Sequence, residues 1–268
     1  MIRAAVLGSP IAHSLSPALH MAAYKHLGIT GEYTAIEVLP ADLKDFIDSR
    51  DSSWTGFSLT MPLKESVMSI ADVLDPLVVQ VACANTLIRK DDSWSAYSTD
   101  VSGFRHSILN KGAATYKSVS IIGSGATARA AAAAVDETGR VIHVVHRNPD
   151  RCQAMKIAAP KSEIIFHPWE SALPMADITI NTTPSGAADV FVHTLSSKVH
   201  GIFFEALYKP WPTPLLAKWR SLGGESIDGL DLLVHQGIDQ ISLMTGIECD
   251  HQEFAQLLRK IGLAQLNI

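Results

Sequence analysis

Short apolar runs alternate with amphipathic stretches along the whole chain. Residues 4–8 read as a strand, and Leu19, Ala22, Ala23 and Leu27 then recur at helical spacing. Ser16 before Pro17 marks the start of that helix as a hydroxyl N-cap with proline at the first helical position. Gly28 sits where a C-cap glycine belongs. Residues 33–38 form the next strand pattern, 42–49 a helix, 56–60 a third strand and, after Pro62, residues 63–71 a helix. Residues 86–90 and 94–99 have β-type composition around the turn cluster Asp91-Asp92-Ser93 and predict a hairpin. With the turn centred between Asp92 and Ser93, Asn85 lies opposite Asp100 at the open end.

Strand and helix patterns keep alternating beyond Lys117. Strands are expected over 118–122, 141–145, 163–166, 178–181 and 202–207, and an Ala-rich helix over 129–135. Helices over 230–244 and 252–261 close the chain. This alternation predicts an α/β protein whose parallel sheets are covered on both faces. Residues 102–114 would join two halves, with Gly112-Ala113-Ala114 as the boundary.

One motif in the second half carries a specific chemistry. Gly123-Ser124-Gly125-Ala126-Thr127-Ala128 fits G-x-G-x-x-A, directly after a strand pattern and at the start of a helix pattern. The first glycine permits a tight turn and the second lets backbone approach a pyrophosphate. The last small residue lets helix and strand pack closely, and the helix N-terminus faces the phosphates. The following strand runs into His146-Arg147-Asn148-Pro149-Asp150-Arg151, with no acid at its end to accept from a ribose 2′-hydroxyl. Two guanidinium groups there suit a 2′-phosphate, which favours NADP over NAD.

Composition narrows the function classes. The 268 residues are 47% hydrophobic and 18% charged with net charge −5, enough apolar material for a sizeable core and no basic stripe for nucleic acid. Three cysteines without close pairing argue against a disulfide framework and fit a reducing, cytoplasmic setting. No apolar run is long enough to span a bilayer, and the eleven histidines show no spacing that suggests a metal. In the first half, Ser14, Ser16, Lys64, Asn85 and Asp100 stand at expected strand ends. Taken singly, a serine there is a cap, a lysine a solvated charge and an aspartate a turn residue. Together they could form a ligand cluster where open α/β sheets bind.

The ordered motifs identify a family. They are residues 8–17 (Gly-Ser-Pro-Ile-Ala-His-Ser-Leu-Ser-Pro), 58–64 (Ser-Leu-Thr-Met-Pro-Leu-Lys), 84–86 (Ala-Asn-Thr), 98–103 (Ser-Thr-Asp-Val-Ser-Gly) and 123–128. They continue with His146-Arg147, residues 181–186 (Asn-Thr-Thr-Pro-Ser-Gly), 208–210 (Tyr-Lys-Pro), 213–216 (Thr-Pro-Leu-Leu) and 233–237 (Leu-Val-His-Gln-Gly). Over nearly its full length the chain resembles the shikimate/quinate dehydrogenase family. The resemblance implies two open α/β domains with the site in the cleft between them. A substrate domain of residues 1–105 would be completed by returning helices over 231–268, and residues 106–230 would form a Rossmann-like NADP domain. It implies reversible hydride transfer between NADPH and 3-dehydroshikimate, with quinate or another cyclic polyol acid as the alternative substrate.

The resemblance also implies site roles. Ser14 and Ser16 would hold the substrate carboxylate with Tyr208 nearby, while Thr60, Asn85 and Gln236 would bond ring oxygens. Lys64 and Asp100 would form the catalytic pair, Asp100 also bonding a substrate hydroxyl. Gly123, Ser124, Gly125, Ala126, Thr127, Arg147 and Arg151 would hold NADP, with Thr182, Ala206 and Gly229 lining the nicotinamide side. Partners are a small molecule only, with no nucleic acid, membrane or metal, and the family allows monomer or homodimer. Ser58, Ser98 and His146 stand where the family usually carries Asn, and Ile241 and Met244 where it carries an aromatic pair.

Overall fold

Two compact units divide the chain: residues 1–103 with 234–268, and residues 104–233. The computed structural model describes residues 1–113 and 115–267, so Ala114 of the expected boundary lies outside the described residues. The first unit opens with β1 (Ile2–Gly8), α1 (Ser16–His26), β2 (Gly31–Glu37), α2 (Leu43–Asp48) and β3 (Gly56–Leu59). It continues with α3 (Leu63–Ser66), β4 (Val73–Leu74), α4 (Pro76–Val81), β5 (Thr86–Lys90) and β6 (Ser93–Tyr97). The division falls within α5 (Thr99–Asn110), so the joining segment expected over 102–114 is helical as far as Asn110. The second unit carries β7 (Ser118–Ile122), α6 (Ala126–Ala134), β8 (Val141–His146), α7 (Cys152–Ala158), β9 (Glu163–Pro168) and β10 (Ile178–Asn181). Then follow β11 (Ile202–Glu205), α8 (Pro214–Ser221) and β12 (Glu225–Ile227). The second division falls within α9 (Gly229–Thr245), and α10 (His251–Leu266) belongs to the first unit.

The first unit's sheet has the order β2-β1-β3-β5-β6-β4. Strands β1, β2 and β3 are parallel, β5 is antiparallel to β3 and β6, and β4 is parallel to β6. Alternation along β3 sorts its side chains. Phe57 and Leu59 are buried in a core with Ala5, Leu7, Trp54, Leu87 and Trp94, and the Phe57 ring lies 4.9 Å from Trp54. Ser58 therefore belongs to the opposite face, beside Thr86, its partner across the β3–β5 ladder. Because β2 and β3 flank β1 on opposite sides, the order reverses at β1 and β3, where such sheets bind ligands beyond their carboxyl ends. Gly8 lets the two loops meet there: a Cβ on it would lie 2.5 Å from Thr60 Cγ2 and 3.0 Å from the Met61 carbonyl.

Several local expectations are corrected. Ser16 is the first residue of α1 rather than its cap, and the preceding Leu15 offers no side-chain acceptor. Ser14 Oγ instead accepts the Ser16 N–H at 3.3 Å. The helix expected over 63–71 is α3 followed by a 3₁₀ turn, Val67–Ser69. Ser69 Oγ donates to the Ser66 carbonyl at 3.1 Å, a local bond that competes with the α ladder. The hairpin turn is centred between Asp91 and Asp92, since Lys90 pairs with Ser93 and Thr86 with Tyr97. Asp91 takes the left-handed conformation at φ 55° that a tight two-residue turn needs. The strand register therefore does not set Asn85 opposite Asp100. Strands β4 and β12 and helix α4 were not anticipated. The strands are too short for alternation to show, but Asp75-Pro76 is a cap signal, and Asp75 accepts the Leu77 N–H at 2.9 Å.

The second unit's sheet is wholly parallel, in the order β12-β11-β10-β7-β8-β9. Counted within the unit this is 6-5-4-1-2-3, the strand order of dinucleotide-binding sheets, reversing between β7 and β10. Ala128 and residues 130–134 of α6, all alanine, are buried, which lets that helix approach the sheet closely. A cluster with Ile122, Val145, Phe203, Leu215 and Trp219 forms a core under α8.

Candidate active site

Lys64, Asn85, Asp100 and Gln236 come together in the first unit. Lys64 is the second residue of α3, and its Nζ lies 2.5 Å from Asp100 Oδ2, with side chains only 16% and 6% exposed. Asp100 stands in the first turn of α5, directly after β6. Its Oδ1 accepts from Asn85 Nδ2 at 3.0 Å, and the same nitrogen reaches Gln236 Oε1 at 3.1 Å. The Thr99 N–H donates to Asn85 Oδ1 at 2.8 Å. Thus the turn into α5, and not strand register, brings Asp100 to Asn85. The Ala84 N–H donates to the Lys64 carbonyl at 2.9 Å, tying the segment before Asn85 to α3. A buried ion pair is tolerable here because the carboxylate has a second donor. Thr60 follows β3, while Ser14 and the buried Ser16 follow β1, at the same end of the sheet.

The cofactor candidates lie in the second unit. Gly123 turns out of β7 at φ 113°, and a Cβ on it would lie 2.6 Å from Thr182 Oγ1. Gly125 caps the nine-residue α6. A Cβ on Gly125 would lie 3.3 Å from a guanidinium nitrogen of Arg151, so that side chain stands over the turn. A glycine cradle, a helix N-terminus and a guanidinium together fit a pyrophosphate. Arg147 is placed differently: it donates to the Ala187 carbonyl at 3.3 Å and its guanidinium lies 4.1 Å from the Trp169 ring centre. Thr182 Oγ1 donates to the Ile122 carbonyl at 2.8 Å, and the Ala206 N–H to the Asn181 carbonyl at 2.9 Å. Behind them the Glu205 carboxyl accepts from Asn181 Nδ2 and from Thr213 Oγ1 at 2.7 Å, and burial raises its pKa. Gly229 opens α9 against the Leu207 backbone, where a Cβ would clash. Tyr208 follows β11 and so belongs to the second unit, whereas Ser14 and Ser16 belong to the first.

Comparison with known proteins decides the family. Residues 6–87 match the model of the shikimate dehydrogenase substrate binding domain. Shikimate dehydrogenase (NADP(+)) of Ignicoccus hospitalis is 32% identical over 244 residues, 90% of this chain and 92% of the relative. The chain belongs to the shikimate dehydrogenase family. Among solved structures, Mycobacterium tuberculosis shikimate dehydrogenase superposes with a TM-score of 0.85 at 33% identity, covering 97% of this chain and 99% of that one. Shikimate 5-dehydrogenase from Thermus thermophilus, in complex with NADP(H) and shikimate, gives a TM-score of 0.80 at 28% identity, covering 97% and 100%.

Family membership makes the departures at Ser58, Ser98 and His146 informative. Ser58 Oγ receives a bond from Tyr33 at 2.6 Å and gives one to Gln240 at 2.7 Å. The Ser98 hydroxyl is buried with no partner among the described residues. His146 Nδ1 lies 3.0 Å from the Asn148 carbonyl. Ile241 and Met244 are both buried, and Met244 Sδ accepts from Tyr24 at 3.8 Å. Sequence reasoning missed Gln240, Thr99 and Trp169. Gln240 was findable: it follows Gln236 by one helical turn and so shares its face of α9.

Proposed function

We propose that this chain is an NADP-dependent shikimate dehydrogenase, reversibly reducing 3-dehydroshikimate to shikimate in aromatic amino acid biosynthesis. The carrying observation is the Lys64–Asp100 pair with Asn85 and Gln236, beside the reversal point of the first unit's sheet. In this reading Ser14 and Ser16, with Tyr208, hold the substrate carboxylate, while Thr60, Asn85 and Gln236 bond the ring oxygens. NADPH, when bound, supplies a hydride to the carbonyl carbon. Lys64 places its ammonium at the carbonyl oxygen, stabilises the charge that builds there and gives it a proton; in the oxidising direction the same amine receives that proton. Asp100 holds Lys64 in place and accepts from a substrate hydroxyl. Gly123, Ser124, Gly125, Ala126 and Thr127 would cradle the pyrophosphate with Arg151. Arg147 would meet the 2′-phosphate, and Thr182, Ala206 and Gly229 would line the nicotinamide side.

The setting we infer is the cytoplasm, which suits three free cysteines, and the chain acts as monomer or homodimer. No helix among the described residues is long and apolar enough to cross a membrane. Purified protein assayed with shikimate and quinate, each with NADP and NAD, tests the reading. The shikimate–NADP pair should give the highest kcat/KM. Absence of shikimate turnover with either cofactor, or a preference for quinate with NAD, would overturn it.

A further inference from the structure

The face of the first unit's sheet that carries Ser58 holds a chain of buried polar side chains leading to the Lys64–Asp100 pair. The links through Gln240 and Ser58 each have one consistent direction, and the shortest acceptor for the Thr86 hydroxyl is Asn85 Oδ1. The Thr99 N–H, a fixed donor, points at Asn85 Oδ1, which leaves Nδ2 for the Asp100 carboxylate. Gln240 places one end of its amide 3.0 Å from the Asn85 carbonyl, a fixed acceptor, so that end is Nε2. Nε2 also reaches Thr86 Oγ1 at 3.0 Å, and the Thr86 hydroxyl gives its proton to Asn85 Oδ1 at 3.1 Å. The other end of Gln240, Oε1, must then accept, and Ser58 Oγ is 2.7 Å away. With its proton committed to Gln240, Ser58 can only accept from the Tyr33 hydroxyl at 2.6 Å.

We propose that Tyr33, Ser58, Gln240 and Thr86 form a directional hydrogen-bond chain that positions Asn85, and through it Asp100, for the reaction proposed above. None of the four need touch substrate; they are positioning residues. The chain starts from Tyr33, buried and stacked on the buried His20 ring at 3.9 Å, and all four members are buried. Each side chain sits where the fold dictates: Ser58 and Thr86 are ladder partners on one face, and Gln240 lies one turn beyond Gln236 on α9. Such a chain adds the Thr86 hydroxyl to the Thr99 N–H as a second donor on Asn85 Oδ1, and so reinforces which end of the Asn85 amide meets the carboxylate. A rotated amide would set its oxygen against Asp100 and its nitrogen against the Thr99 N–H.

The test uses the whole enzyme in Tyr33→Phe, Ser58→Ala, Ser58→Thr and the double variant Tyr33→Phe/Ser58→Ala. Wild-type turnover of shikimate is measured first, so failure of the functional reading is seen separately; variants are then compared with wild type on its best substrate of the panel. Loss of one buried link should lower kcat/KM for that substrate by about tenfold, with KM for the cofactor within about twofold. Ser58→Thr retains a hydroxyl and should restore most of the activity. Because the links act in series, the double variant should be no worse than Ser58→Ala alone. Independent packing effects would instead multiply. Activity within about twofold of wild type in both single variants, multiplicative loss in the double variant, or no rescue by Ser58→Thr overturns the proposal. Tyr33→Phe keeps the ring and its stacking, so it decides the matter should Ser58→Ala fold poorly.

Discussion

Acidification should destabilise this fold through one buried side chain, His20. Its imidazole is 1% exposed, lies 3.9 Å from the Tyr33 ring and meets the Tyr24 ring edge-on at 6.0 Å. Burial lowers its pKa from 6.5 to about 3, because the charged ring would lose its hydration. The unfolded chain takes up a proton near the ordinary value, and the folded chain does not until far lower pH. Protonation therefore favours unfolding: this part of the stability is present above about 6.5 and is lost as pH falls towards 3. Each pH unit within that window costs about 1.4 kcal/mol, so a step from pH 7 to pH 5 removes about 2 kcal/mol. Carboxylates also titrate in this range, so the measurement is a difference. Urea unfolding of wild type and His20→Leu at both pH values should show wild type losing about 2 kcal/mol more than the variant. The baseline change caused by the substitution cancels in that comparison. Equal losses in the two proteins would refute the reasoning, because a histidine able to hold its proton in the folded state adds no such slope.

Four further outcomes concern the proposed reaction. Lys64→Ala should lower kcat by roughly 10²–10⁴-fold in steady-state assays while cofactor titrations stay near wild type; a variant with near-normal kcat would remove the amine from the chemistry. Ser14→Ala with Ser16→Ala should raise KM for shikimate, each lost bond to the carboxylate being worth about 1–3 kcal/mol, and equal weakening of NADPH binding would contradict the assignment. Thermal unfolding belongs beside it, since Ser14 also accepts the Ser16 N–H. Arg147→Asp should lower the NADPH/NADH ratio of kcat/KM by at least ~10²-fold through lost charge and repulsion. Arg151→Ala should weaken both cofactors, because its guanidinium stands over the Gly125 turn; an unchanged ratio in Arg147→Asp would return that arginine to an ordinary surface role.

What was legible in the sequence follows physical range. The glycine turn at Gly123 and the alanine helix behind it are local devices, since conformation and close packing must be encoded where they occur. The parallel order of the second sheet follows from alternating strands and helices, and β7 to β10 came close to their expected limits. The first unit resisted where structure depends on a single residue's dihedral. Asp91 at φ 55° shifts the hairpin, and no composition rule separates it from Asp92. Asn85 and Asp100 were nevertheless paired correctly in space for a wrong reason, because α5 folds Asp100 back over the strand end. Long-range polar contacts were the least legible. Tyr33, Ser58, Thr86 and Gln240 come from three strands and a distant helix, and none has an unusual residue type for its element. Period-two alternation does assign Ser58 away from the Phe57–Leu59 core. A hydroxyl on a buried strand face must find a partner or cost about 1–3 kcal/mol, so the strand itself announces that something polar covers it. The helix supplying that partner returns from far along the chain, so its identity is set by topology.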